Sequence, residues 1–93
     1  MEEYQLGQLR YVIQYPKDFS ADRKYPVLFF FAGAGTRGDN IELLTTNPFF
    51  EITKNHKAFP FVIVAPLCSR NTWFDLWEHI QGLVRHVAEL KLI

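Results

Sequence analysis

Two uninterrupted apolar runs of strand length constrain this chain more than anything else in it: "VLFFFA" (Val27–Ala32) and "FVIVAP" (Phe61–Pro66). Neither alternates as a half-buried strand would. A strand covered on both faces reads this way, as in a parallel sheet with helices on either side. Parallel strands need a crossover between them, so the two runs imply an α/β fold. With 93 residues, the chain is expected to form one small α/β domain spanning 1–93.

The other elements fit around that pair. "QLRYVIQYP" alternates, with Leu9, Tyr11, Ile13 and Tyr15 on one face and Arg10, Val12 and Gln14 on the other, which predicts a half-buried strand. A polar turn bracketed by Pro16 and Pro26 follows. The sheet is thus expected to have about three strands. A short helix is expected around Ile41–Thr45, after the glycine-rich loop, and Pro48 disfavours helix at Asn47. From Trp73 to Leu90 the period changes to three- and four-residue steps. Trp73, Trp77, Ile80, Val84, Val87 and Leu90 then define the packing face of one long C-terminal helix. Asn71 or Thr72 can cap it, and Asp75 suits its positive end. Gly82 sits inside it at a cost of about 1 kcal/mol against alanine, which close packing on a strand would explain.

Composition excludes several roles. Formal net charge is zero with the histidines neutral, whereas nucleic-acid binders carry a basic excess to neutralise phosphates. The N-terminus "MEEYQLGQLR" is polar and starts acidic, unlike a secretory signal. No apolar run nears the roughly 20 residues of a membrane span. A lone Cys68 precludes an internal disulfide and points to the cytoplasm. No cofactor is expected.

"GAGTRGDN", after the first apolar run, admits three readings. Gly33-Ala34-Gly35-Thr36-Arg37-Gly38 fits GxGxxG, the dinucleotide-binding pattern. That motif needs a helix starting inside the glycine run and an acidic residue after the next strand. Here Asp39 and Asn40 follow the last glycine, and Leu67, Cys68 and Ser69 follow "FVIVAP". The second reading is an oxyanion hole, in which a small-residue loop leaves backbone N–H groups free to face a developing negative charge. The third is a tight connection with no chemistry.

The segment "YPVLFFFAGAGTRGDN" resembles the "YPLVLFLHGAGERGDD"-type stretch of α/β-hydrolase-fold esterases, the group that includes feruloyl esterase-like, polyhydroxybutyrate-depolymerase-like and predicted peptidase proteins. "LRYVIQYPKDFSADRKYPV" is similar to that family's lead-in strand and turn, and "FPFVIVAPLCSRNTW" to its "YPFIVVAPQCP…W" strand and loop. The last helix is similar to the one preceding the nucleophile strand. The likeness covers about Leu9 to Leu90. It implies a partial α/β-hydrolase-like sheet, with oxyanion donors near Gly33, Ala34 and Gly35. It also implies a loop fixed by Arg37 and Asp39, and Trp73 lining a pocket. Two departures stand out. Ala32 replaces the family histidine, and no GxSxG elbow is present, since the serines are Ser20 and Ser69. The expectation is a truncated esterase-like segment without catalytic residues of its own. The alternatives are a non-catalytic self-associating module and a nucleotide binder.

The remaining candidates read as structural. His56 lies in a polar stretch. His79 and His86 are two turns apart, where metal pairs want neighbouring turns. Cys68 has no base beside it in sequence, so it reads as a packed thiol. Arg37 and Asp39 read as an ion pair rather than a carboxylate clamp. Glu42 and Glu51 have no partners for acid–base work. In the hydrolase sheet order, the Val27–Ala32 strand would lack a neighbour on one side, so the resemblance also implies a homo-oligomer through that edge.

Overall fold

The computed structural model describes residues 1–17, 19–20, 22–32, 38, 40–55, 61–68 and 73–89, with the side chains of residues 74 and 75 excepted. The strands are β1 (Glu2–Leu6), β2 (Leu9–Gln14), β3 (Val27–Phe29) and β4 (Val62–Pro66). The helices are α1 (Ile41–Thr45), α2 (Pro48–Asn55) and α3 (Trp77–Glu89), the last preceded by a 3₁₀ turn at Trp73–Leu76. The sheet order is β1-β2-β4-β3. β4 runs antiparallel to β2 and parallel to β3.

Among the described residues four strands form where about three were expected. The addition is β1, in the segment read from sequence only as a polar N-terminus. It pairs with β2 through a two-residue connection, Gly7-Gln8, with Leu6 opposite Leu9. Gly7 has φ +60°, the backbone that suits a tight hairpin to the twist of its strands. Tyr4 stacks on Tyr11 at 5.5 Å between ring centroids. Its hydroxyl donates to the Glu2 carboxylate, and that bond holds the Tyr4 pKa well above its ordinary value.

Both faces of the sheet are covered. On one face Leu9, Tyr11 and Ile13 of β2, Val62 and Val64 of β4, and Val27 and Phe29 of β3 pack with Leu76, Ile80, Leu83 and Val87. On the other face Val12, Ile63, Ala65, Leu28 and Phe30 pack with Ile41, Leu44, Phe49 and Phe50. α3 therefore covers one side and α1 with α2 the other. This corrects the half-buried reading of β2. Val12 and Gln14 are buried, because α2 lies over them. Gln14 meets its polar requirement there, its Nε2 donating to Thr53 Oγ1 at 3.0 Å. The turn between β2 and β3 also holds an aromatic cluster, since the rings of Tyr15, Phe19 and Tyr25 meet at a tilt, at centroid distances of 4.5 and 5.0 Å.

Among its described residues, the crossover from β3 to β4 holds two helices. α1 forms over the residues expected, capped by the Asn40 side chain, which accepts from the Glu42 N–H at 3.1 Å. α2 begins at the proline that had suggested a break. Asn47 accepts from the Phe49 N–H at 3.0 Å, and Pro48 takes the first helical position, where its missing N–H costs nothing.

α3 begins later than expected and turns a different face to the sheet. Ile80, Leu83 and Val87 are its seam, continued by Leu76 of the preceding turn, while Trp77 is 56% and Val84 43% exposed. At 100° per residue the packing face is rotated by about 50° from the expected one. Both stripes contain Ile80 and Val87, and the sheet takes the aliphatic Leu76 and Leu83 rather than the bulkier Trp77. Asn71, Thr72 and Leu90 lie outside the described residues. Gly82 is not explained by close packing either, because a Cβ placed there meets nothing within 4 Å.

Two predictions follow from this helix. Leu83→Asp puts a charge into the closed seam and should cost about 3–5 kcal/mol, enough to unfold a domain of this size, whereas Val84→Asp should cost less than about 1 kcal/mol. Urea melts followed by circular dichroism separate them, and equal stabilities would mean that the face is wrong. Gly82→Ala should raise stability by about 1 kcal/mol in the same melts. A loss there would show that the position is crowded.

Candidate functional site

β3 and β4 lie side by side and parallel, and their carboxyl-end connections leave to opposite faces. The chain after β3 goes to α1 and α2, and the chain after β4 goes to α3. Adjacent parallel strands that part in this way open a crevice beyond their carboxyl ends, where α/β proteins place ligands. The glycine-rich loop starts at this crevice.

Gly33, Ala34, Gly35, Arg37 and Asp39 lie outside the described residues, as does His56. The two ends of the loop are described, and both are fastened. At the entry, the Phe30 N–H donates to the Val64 carbonyl at 3.0 Å, extending the ladder past β3. Phe30 stacks on Phe49 at 4.1 Å and meets Phe50 edge-on at 5.6 Å. Phe31 points to the other face and meets Trp73 edge-on at 5.2 Å. Trp73 also donates from Nε1 to the Ala32 carbonyl at 3.4 Å. The last residues before the loop are thus held by aromatic rings from both helical layers.

At the exit, the Gly38 N–H donates to the Cys68 carbonyl at 2.9 Å, tying the loop to the segment after β4. Gly38 has φ +116°, a conformation side chains rarely tolerate. The chain then reaches the Asn40 cap of α1. Sequence reasoning missed three of these ties: Phe30 to Phe49, Gly38 to Cys68 and Trp73 to Ala32. A signal for the first was present in "NPFF", a cap, a first-turn proline and two aromatics on a short helix.

The described residues just past the ends of β3 and β4 include Phe31, Ala32, Leu67 and Cys68, with Trp73 against the first two. All are apolar apart from the thiol and the indole N–H. Cys68 is buried, and Ala32 packs with Leu44, Phe50 and Leu67. An alanine suits this apolar pocket where the resemblance expects a histidine. Among these five described residues none is a carboxylate or a histidine.

Other sequence candidates fall elsewhere. His79 and His86 are half-buried on α3. Among the described residues no three His, Cys, Asp or Glu side chains group as a metal set, and no helix is long and apolar enough to cross a membrane. Tyr4, with its raised pKa, sits on the hairpin at the opposite edge of the sheet. Among the described residues, the first α-helix after β3 starts at Ile41, past the last glycine.

No family model and no curated protein matches the sequence. Among solved structures, the chain is similar to the crystal structure of a thermostable esterase, at a TM-score of 0.57 and 26% identity. The match covers 77% of this chain and 22% of that one, so the chain spans less than a quarter of the esterase's length. The four-stranded mixed sheet with its C-terminal helix is a partial α/β-hydrolase-like fold.

Proposed function

We propose that the chain is the N-terminal segment of an esterase-like α/β hydrolase, contributing the oxyanion-binding loop Gly33-Ala34-Gly35. The observation that carries this reading is the fastening of that loop at both ends, at the crevice between the carboxyl ends of β3 and β4. Fixed backbone N–H groups stabilise a developing oxyanion because they need no reorganisation as charge appears. The likeness to an esterase supports the same class of chemistry: attack on a carboxylic ester carbonyl, with negative charge on its oxygen.

The reading assigns no nucleophile, base or acid to these 93 residues. The reading puts a nucleophile-bearing strand beyond α3, and handedness gives it a place. The crossover from β3 to β4 carries its helices on one face and steps the chain toward β2. A right-handed crossover with its helix on the other face steps the opposite way. A parallel strand following α3 would therefore lie along the free side of β3, with its carboxyl end beside the glycine loop. Arg37 and Asp39 brace the loop in this reading, and Trp73 sets its entry. The chain has a single cysteine and so forms no internal disulfide, in keeping with a cytoplasmic setting in this reading.

The isolated chain should hydrolyse p-nitrophenyl acetate no faster than its Ser69→Ala variant, and no faster than the buffer rate corrected for surface nucleophiles. A turnover well above background that disappears in Ser69→Ala would overturn the proposal and make Ser69 a nucleophile.

A further inference from the structure

Tyrosines and the thiol apart, the buried polar side chains among the described residues are Gln14 of β2 and Thr53 of α2. They meet each other, Gln14 Nε2 donating to Thr53 Oγ1 at 3.0 Å. The Thr53 hydroxyl in turn donates back within its own helix, its Oγ1 lying 2.8 Å from the Phe49 carbonyl oxygen and 3.2 Å from that of Phe50. Gln14 is held by the sheet, opposite Ile63 of β4. The bond therefore joins a fixed point of the sheet to one side of α2.

That side is not the one the apolar residues of α2 favour. At 100° per residue, Phe50 lies about 100° to one side of Phe49 and Ile52 about 60° to the other, so the apolar side chains centre on Phe49. The buried residues are instead Phe50 and Thr53. Their mean direction is about 70° from Phe49, and Ile52 is 65% exposed. Burial of apolar surface is non-directional and gains more from an isoleucine than from a threonine, so it does not account for this rotation. The hydrogen bond to Gln14 does, because it is directional and a buried amide without a partner is costly. The rotation leaves Phe49 at the rim of the packing face. There its ring stacks on Phe30 at 4.1 Å, while Phe50 meets Phe30 edge-on at 5.6 Å. Phe30 stands two residues before Ala32, where the chain leaves β3 for the glycine-rich loop.

We propose that Gln14 and Thr53 are positioning residues for the glycine-rich loop. Their hydrogen bond sets the rotation of α2 on the sheet. That rotation seats Phe49 on Phe30, and the stacked rings fix the direction in which the chain leaves β3. A buried polar pair of this kind gives up some apolar burial for a single orientation. The role in catalysis rests on the reading of the loop as an oxyanion site, whereas the seating of Phe49 stands without it.

The test uses the chain itself, with the NMR cross-peak between the Phe30 and Phe49 rings and the Ala32 amide shift as readouts. Gln14→Leu removes the donor on the sheet without stranding Thr53, whose hydroxyl keeps its bond inside α2. The variant should fold with a urea midpoint close to the native one, but α2 should turn toward Ile52. The Phe30–Phe49 cross-peak should then be lost and the Ala32 amide should shift. Adding Ile52→Lys opposes that turn, because it would carry a charge toward the sheet. Gln14→Leu/Ile52→Lys should therefore regain both native signals, which a lysine on the exposed side could not do if position 14 had merely lost packing. A Gln14→Leu variant that retains the cross-peak would overturn the proposal, since packing alone would then hold Phe49. So would one that Ile52→Lys fails to repair, or one that does not fold, because the pair would then serve stability rather than placement. No readout depends on turnover. Failure here leaves the esterase reading standing, and a loop without oxyanion donors leaves the seating of Phe49 standing.

Discussion

β4 is hydrogen-bonded on both sides and covered on both faces, and the rest of the molecule is arranged around it. Its five residues, Val62–Pro66, are all buried. Because β2 runs against it and β3 runs with it, the sheet is mixed. The parallel half needs a crossover, and α1 and α2 supply it. Side chains alternate along β4, with Val62 and Val64 toward α3 and Ile63 and Ala65 toward α1 and α2. One strand thus nucleates both cores. Two small cores sharing one wall are a sparing way to stabilise so short a chain, and they explain why the polar Gln14 is tolerated in one of them only with Thr53 as its partner.

The same strand pair defines the edge at which the glycine-rich loop begins. β3 and β4 end together, and their continuations separate to opposite faces, so the crevice follows from topology before any side chain is considered. Phe30 and Phe31 then anchor into opposite layers, as successive residues of a strand must. Trp73, at the start of the turn leading to α3, closes over Ala32. Gly38 is tied to Cys68. The site therefore depends on contacts between the segment after β3 and the segment after β4. A change in either layer is expected to reach the loop through these contacts.

Much of this was legible in the sequence, and the parts that were not have physical reasons. The two apolar runs announced buried strands because a strand with two dry faces has no alternation to show. β1 escaped because it is exposed along nearly its whole length. It offers no apolar period, and the only cue was a glycine between flanking leucines. α2 escaped because Asn47-Pro48 reads equally as an end or a beginning, and only the tertiary position of Phe50 and Thr53 distinguishes the two. The α3 face was misread by a fraction of a turn, because two stripes sharing Ile80 and Val87 were nearly equivalent. Gln14 shows the limit of polarity as a guide, since its burial depends on a threonine far along the chain. The glycine loop was visible as a motif. The aromatic clamps at its entry and the carbonyl tie at its exit were not, because they join residues distant in sequence.

The most direct measurement of the central claim is a loop exchange into the thermostable esterase, replacing its matching segment with residues 30–40 of this chain. That host would supply the nucleophilic machinery. If the loop provides oxyanion donors, the folded chimera should turn over p-nitrophenyl acetate. Gly35→Val within it should then lower kcat by about 10²–10³-fold with little change in KM, the signature of a contact made in the transition state. A folded chimera without turnover, or one whose turnover is indifferent to Gly35→Val, would contradict it.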